Sequence, residues 1–240
     1  MNRMRLLGLA LVVAGTFSAS AEAASGPSYY VNGKSLKTGE TRLALIVPKE
    51  AFVFAFSTIK IRCDGLTAPG YIEGVALGSG GKGKETFEFT KCTVEGNGEG
   101  CEIEGEKFVM ASLTTTLGFS KAERMGPVLI LFQPVSAIIH FTPTAKCVFS
   151  SMSVTGQFIG EAYEGGKPVE VDLTKLGIES LHGEVRFRSP GPKTIWLENG
   201  GTLKTVKTKL ETGLGALTIS GTELVLVDEG GILGKWGIFW

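Results

Sequence analysis

Apolar and polar side chains take turns along much of this chain, the period-two pattern of strands with one face in a core and the other in water. Arg42 to Val47 is the first convincing apolar strand, and Pro48 is expected to stop it. Ala51 to Arg62 follows as a long β run carrying Phe52, Phe54 and Phe56. Ile59, Ile61 and Cys63 share one face, with Lys60 and Arg62 on the other. Thr86 to Thr90, Phe108 to Phe119 and Pro127 to Phe141 read as further strands, with Val128 to Ile139 interrupted at Gln133-Pro134 as two buried strands meeting at a bend. Val169, Val171 and Leu173 alternate with Glu170 and Asp172. Trp196-Leu197-Glu198 and Thr202-Leu203-Lys204 flank Asn199-Gly200-Gly201, a strong hairpin signal. Leu224 to Val227 is continuously apolar, as in a strand covered on both faces, and a last run ends Trp236-Gly237-Ile238-Phe239-Trp240. Only Ser120 to Met125 and Thr174 to Leu181 offer a turn or two of helix. The pattern predicts an all-β fold, a single antiparallel β-barrel or β-sandwich with little helix.

Composition sharpens this picture in two places. Glycine, at 34 of 240 residues with no Gly-X-Y period, excludes collagen and implies many tight turns. At the start, Arg3 and Arg5 precede a short apolar stretch, Leu6 to Ala14, and small-residue cleavage sites around Ala21 and Ala23. This is the layout of a secretory signal over residues 1–23, and the apolar run is far below the roughly 20 residues of a spanning helix. Residues 24–240 then form one secreted domain. Taking Arg3, Arg5 and Glu22 from the 24 basic and 24 acidic side chains leaves 22 against 23, a net of −1. A balance without runs of like charge argues against nucleic acid and against electrostatic docking on anionic membranes.

Two stretches look like copies, near 52–90 and 137–174. Phe56 to Cys63 matches Phe141 to Cys147, and each copy then passes a Gly-Gly-Lys turn, Gly80-Gly81-Lys82 and Gly165-Gly166-Lys167. Two copies are too few for a solenoid and would be halves of one barrel or sandwich.

The order of a strand ending in Cys63, the segment Gly70-Tyr71-Ile72-Glu73-Gly74, a Phe-rich strand Phe87-Glu88-Phe89-Thr90-Lys91-Cys92, then Cys101 and Cys147, resembles a group of secreted bacterial all-β proteins of unknown function with a four-cysteine, Gly-rich pattern. The likeness covers roughly residues 55–175. It implies secretion and an all-β fold, and brings neither an activity nor site residues.

Four cysteines behind an export signal are expected to form disulfides, since neither metal spacing nor a Cys-x-x-Cys pair is present. Cys63 and Cys147 close matching strands of the proposed copies, which predicts Cys63–Cys147 with Cys92–Cys101; the alternative is Cys63–Cys92 with Cys101–Cys147. Gly78 to Lys84 has the glycine and lysine skeleton of a phosphate loop. Glu85 stands where Ser or Thr should hold magnesium, so the stretch reads as a mobile hairpin loop. His140 and His182 are the only histidines. The pairs Glu102/Glu104 and Glu170/Asp172 read as solvated strand faces. The best binding candidates are aromatic: Trp196, Trp236, Phe239 and Trp240, with Tyr29 and Tyr30, which stack on sugars or apolar ligands where exposed and are core where buried.

These features point to a secreted, non-enzymatic β protein that acts by binding or structure, with an unidentified partner at the cell envelope or outside the cell and without metal or cofactor. Two rivals are a secreted hydrolase whose acids or histidines assemble from distant segments, and a β-barrel carrier of an apolar ligand. A polar cleft of convergent acids would favour the first, and an apolar void of several hundred Å3 the second.

Overall fold

The computed structural model describes residues 26–76, 79–96, 100–147, 150–171, 177–180, 183–188, 191–228 and 230–240. Eight strands make an antiparallel barrel: Thr41–Phe56 (β1), Ile59–Glu73 (β2), Lys82–Gly96 (β3), Phe108–Phe119 (β4), Gly126–Thr142 (β5), Ser151–Glu164 (β6), Gly183–Phe187 (β7) and Gly215–Asp228 (β8). Each pairs with the next, and β8 returns to β1 from Thr218↔Ala55 to Asp228↔Leu43, which closes the ring.

Alternation explains what lies inside. Ala44, Ile46, Phe52, Phe54 and Phe56 point inward from β1, and Ile59, Ile61 and Cys63 do so from β2, as the pattern predicts. Eight strands enclose a lumen that side chains can just fill, and here phenyl rings fill it. Phe54 meets Phe89 edge-on at 4.9 Å, Phe52 reaches Phe187 at 5.6 Å, and Phe132 stacks on Phe158 at 4.8 Å. Gly160 makes room for this packing: a Cβ there would come 2.4 Å from Val185 Cγ1. The outer wall is the opposite in character, with Lys60, Arg62, Asp64 and Lys84 all exposed. No helix among the described residues is long and apolar enough to cross a membrane.

Each barrel end is closed differently. Four short strands, Ser28–Val31, Lys34–Ser35, Gly177–Ser180 and Trp236–Phe239, pair into a small sheet over one end. Tyr29, Val31, Trp236 and Ile238 bury into the main core from it, and the Trp236 indole N–H donates to the Val225 carbonyl at 2.8 Å. At the other end Cys63 bridges Cys92, directly opposite it on β3, and Cys101 bridges Cys147 in the turn after β5. A hairpin, Thr194–Asn199 and Thr202–Lys207, lies against the outside. Its Ile195, Leu197 and Val206 cover Leu129, Leu131 and Ile159, and Arg124 clamps its buried Glu198 with two bonds, at 2.7 and 3.0 Å.

Several expectations need correction. The strand does not stop at Pro48; β1 runs through it, and the missing N–H is absorbed by a register slip between Ile46↔Ala68 and Phe52↔Cys63. Leu224 to Val227 is not covered on both faces, because Leu224 and Leu226 are only half-buried and the run alternates like its neighbours. Gly177–Ser180 is a strand where helix was allowed, held by its pairing with Trp236–Phe239. Gly80 and Gly81 are buried, packed on Leu117 and Tyr29 and not a free hairpin tip; Gly78 lies outside the described residues. The predicted pairing Cys63–Cys147 with Cys92–Cys101 is overturned. Lys91 has φ +53°, and this left-handed residue turns Cys92 onto the inward face beside Cys63 with the register to β2 unbroken, leaving their Cα atoms 4.0 Å apart. The two supposed copies also occupy non-equivalent places: Cys63 is inside a barrel strand, Cys147 in a turn.

Candidate functional site

Two places outside the ordinary core carry chemistry. The first lies beneath the small sheet. Glu85 on β3 is in step with Phe87 and Phe89, and Glu223 on β8 is in step with Ile219, Val225 and Val227, so both point into the barrel. Glu223 is 0% exposed, and neither of its carboxyl oxygens has a hydrogen-bond partner among the described residues; nor does Glu85 Oε2 or Thr115 Oγ1. Tyr29 descends on them from above. Burial drives the Glu85 carboxyl above the ordinary carboxylate range. Glu223 is driven up for the same reason, with the Glu85 charge adding to it. The Tyr29 phenol also rises, chiefly through burial, then through the field of Glu85; the neighbouring Thr115 hydroxyl acts the other way. Unpaired carboxylates in such surroundings hold protons at neutral pH. Sealed in, this cluster has no open face for a substrate.

The second place is a gap in the barrel wall. β7 ends at Phe187, opposite Gly221 of β8, one residue after Arg186 meets Glu161 of β6. The next segment to lie between β6 and β8 is Leu210–Thr212, which pairs with Val154–Gly156 on one side and Gly215–Leu217 on the other. Of the described residues in between, 194–207 make the outer hairpin instead of filling the wall. The result is a slot of about 510 Å3, within the size range of ligand sites. Its floor is apolar, from Phe158, Leu217 and Ile219, and four cations rim it: Arg188, Lys193, Lys207 and Lys209. Arg188 is paired with Glu161 at 2.9 Å and Lys209 with Glu211. Lys193 and Lys207 are exposed and have no acidic partner among the described residues. A second outer depression, about 380 Å3, is lined by Leu43, Leu45, Ile232 and Leu233, with Asp228 its one charge among the described residues.

The residues singled out from sequence are scattered. Trp236 is core, its ring 6.4 Å from that of Tyr29. Phe239 stacks on Tyr30 at 6.2 Å and is half-buried, as is Trp240. Trp196 sits on the hairpin, opposite Phe119. These aromatics thus divide between the small sheet, where Phe239 stacks on Tyr30 and Trp236 turns into the core, and the outer hairpin that carries Trp196. His140 is exposed on β5 opposite Ser151, and His182 lies outside the described residues. Glu102, Glu104 and Glu170 are exposed as expected, while Asp172 lies outside the described residues. No group of three or more His, Cys, Asp or Glu among the described residues is placed to hold a metal ion. Sequence reasoning missed Glu85 and Glu223 as inward acids, although period-two alternation marks both. It missed the slot altogether, because a strand interrupted in space leaves no local signature.

Fold and site together define an all-β class: a disulfide-linked, eight-stranded antiparallel barrel with a filled lumen and a cationic opening in its wall. Comparison of the chain with protein-family models, with curated proteins and with solved structures finds no match.

Proposed function

We propose that the protein is exported and acts outside the cytoplasm, at the cell envelope or beyond it, as a non-enzymatic binding module whose ligand is an anion held in the wall slot. One observation carries this reading: Lys193 and Lys207 have no acidic partner among the described residues and stand over an apolar floor, in the larger of the two outer openings described. Unpaired ammonium groups around a concave apolar surface supply both charge complementarity and buried area. The leader over residues 1–23 and the two disulfides support an oxidising, extracytoplasmic compartment. The rivals have less support. The carrier needs a lumen, and phenyl rings occupy it. The hydrolase needs acids open to substrate, and Glu85 and Glu223 are shut in.

The test is anisotropy titration of the mature chain with fluorescein-labelled polyglutamate and with labelled oligogalacturonate, at low and high salt. At least one should bind, weaken with salt as screened charges do, and lose about tenfold in affinity in K193E/K207E. If neither anion binds, or if binding ignores both lysines, the reading fails.

A further inference from the structure

We infer that the slot takes an extended, acidic segment of a partner protein, which inserts as a strand and completes the interrupted wall. The inference rests on the binding reading above and deepens it by naming the ligand class. Width comes first. At one end a β7 residue lies between β6 and β8, and at the other end Leu210 does, each paired to both neighbours. Between those ends the gap is thus one strand wide, or about 10 Å across two inter-strand spacings. Three residues of β8, Thr218 to Ser220, span its length, so about three inserted residues would fill it.

The edges are those of strands awaiting a neighbour. In an antiparallel sheet the N–H and C=O of one residue point to the same side, and successive residues alternate sides. At the Leu210 end of the slot Gln157 donates its N–H to Lys209 O at 3.0 Å, so it points to the slot side of β6. Ile159, two residues on, therefore faces the slot as well. By the same alternation Ile219, between Leu217 opposite Leu210 and Gly221 opposite Phe187, faces it from β8. The other edges are occupied: Phe158 to Gly160 pair with β5, and Thr218 to Ser220 with β1. Among the described residues, nothing pairs with Ile159 or Ile219 on the slot side. Open strand edges are templates for strand addition, in which main-chain bonds give affinity and side chains give selectivity.

Charge selects the segment. Glu161 and Glu211 neutralise Arg188 and Lys209, which leaves Lys193 and Lys207 to face the incoming chain. Because strand side chains alternate, an inserted segment would place apolar residues on the floor of Phe158 and Leu217 and its carboxylates toward those lysines. A linear anionic sugar would satisfy the lysines but has no alternating amides for Ile159 and Ile219.

The experiment uses the mature full chain and a fluorescein-labelled hexapeptide, Glu-Val-Glu-Val-Glu-Val, followed by anisotropy and by amide exchange. Binding is expected, with exchange slowed at Ile159 and Ile219. N-methylation of alternate peptide amides should weaken it about tenfold, and so should K193E/K207E, whose far-UV circular dichroism should match the parent. If the N-methylated peptide or oligogalacturonate binds as tightly as the hexapeptide, strand insertion is wrong while the anion-binding reading stands. If no anionic probe binds, both fall. A dimer that forms without peptide and dissociates in K193E/K207E would give the slot to a second copy of the chain and also overturn the inference.

Discussion

Glu223 occupies a position that Ile219, Val225 and Val227 fill on the same inward face of β8, yet it is an acid with neither oxygen bonded among the described residues. Its proton affinity, like that of Glu85, is raised by burial. The folded state therefore keeps protons that the unfolded chain releases above its ordinary carboxylate pKa of about 4.3. Where the unfolded state binds fewer protons, stability falls as pH rises. The contribution is whole below about pH 4.3 and is lost progressively up to the folded-state values. Glu223→Gln removes this proton linkage and keeps the shape. It should flatten the decline and leave the variant with a higher Tm than the parent at pH 8. Thermal unfolding of both proteins from pH 4 to pH 8 checks this; a variant less stable than the parent throughout would show that the carboxyl is needed for structure. The inward aim of both glutamates was legible, since Glu85 keeps step with Phe87 and Phe89. Their sealing was not, because the seal is Tyr29, which arrives from the far end of the chain's path.

Among the elements, the disulfides show how a correct local clue was attached to the wrong partner. Ideal alternation puts Cys92 on the face of Glu88 and Thr90, so the backbone has to change face ahead of it. The left-handed backbone of Lys91 does this without shifting the register, and it serves the bridge to Cys63 rather than one to Cys101. Non-reducing peptide mapping should return one peptide joining Cys63 to Cys92 and another joining Cys101 to Cys147. The bridges close loops of 29 and 46 residues. On the chain-entropy model these contribute about 3.6 and about 4.0 kcal/mol. Alanine pairs at either bridge should then destabilise the protein by similar amounts in urea unfolding. A much larger loss for Cys63→Ala with Cys92→Ala would mean that its buried packing outweighs the chain constraint.

For the whole molecule, the proposed leader, residues 1–23, ends short of the first residues that pair in the fold. Pro27 already belongs to the fold, since its carbonyl accepts from Gly81 N–H at 2.7 Å, and Ser28–Val31 follows in the covering sheet. Cleavage after Ala23 would leave this strand intact. Mass analysis of exported protein should therefore give a chain beginning at Ala24, and a mature form that retains Met1 would refute the export reading. The filled lumen makes a further demand on the whole barrel: a fluorescent fatty acid should show no saturable binding, whereas stoichiometric uptake would restore the carrier.

The sequence by itself determined the strands, their inward and outward faces and the all-β class, because alternation is a property of neighbouring residues and the pleat converts it directly into inside and outside. Phe108–Phe119 and the Asn199-Gly200 hairpin were legible to within a residue or two for that reason. Only the tertiary structure decided that the sheet closes into a barrel, that Cys63 meets Cys92, that Glu85 and Glu223 share one sealed interior, and that the wall is open between Phe187 and Leu210. Each of these depends on which distant backbone edges pair. Peptide hydrogen-bonding groups are alike along every strand, so the choice is made by how all the side chains pack at once.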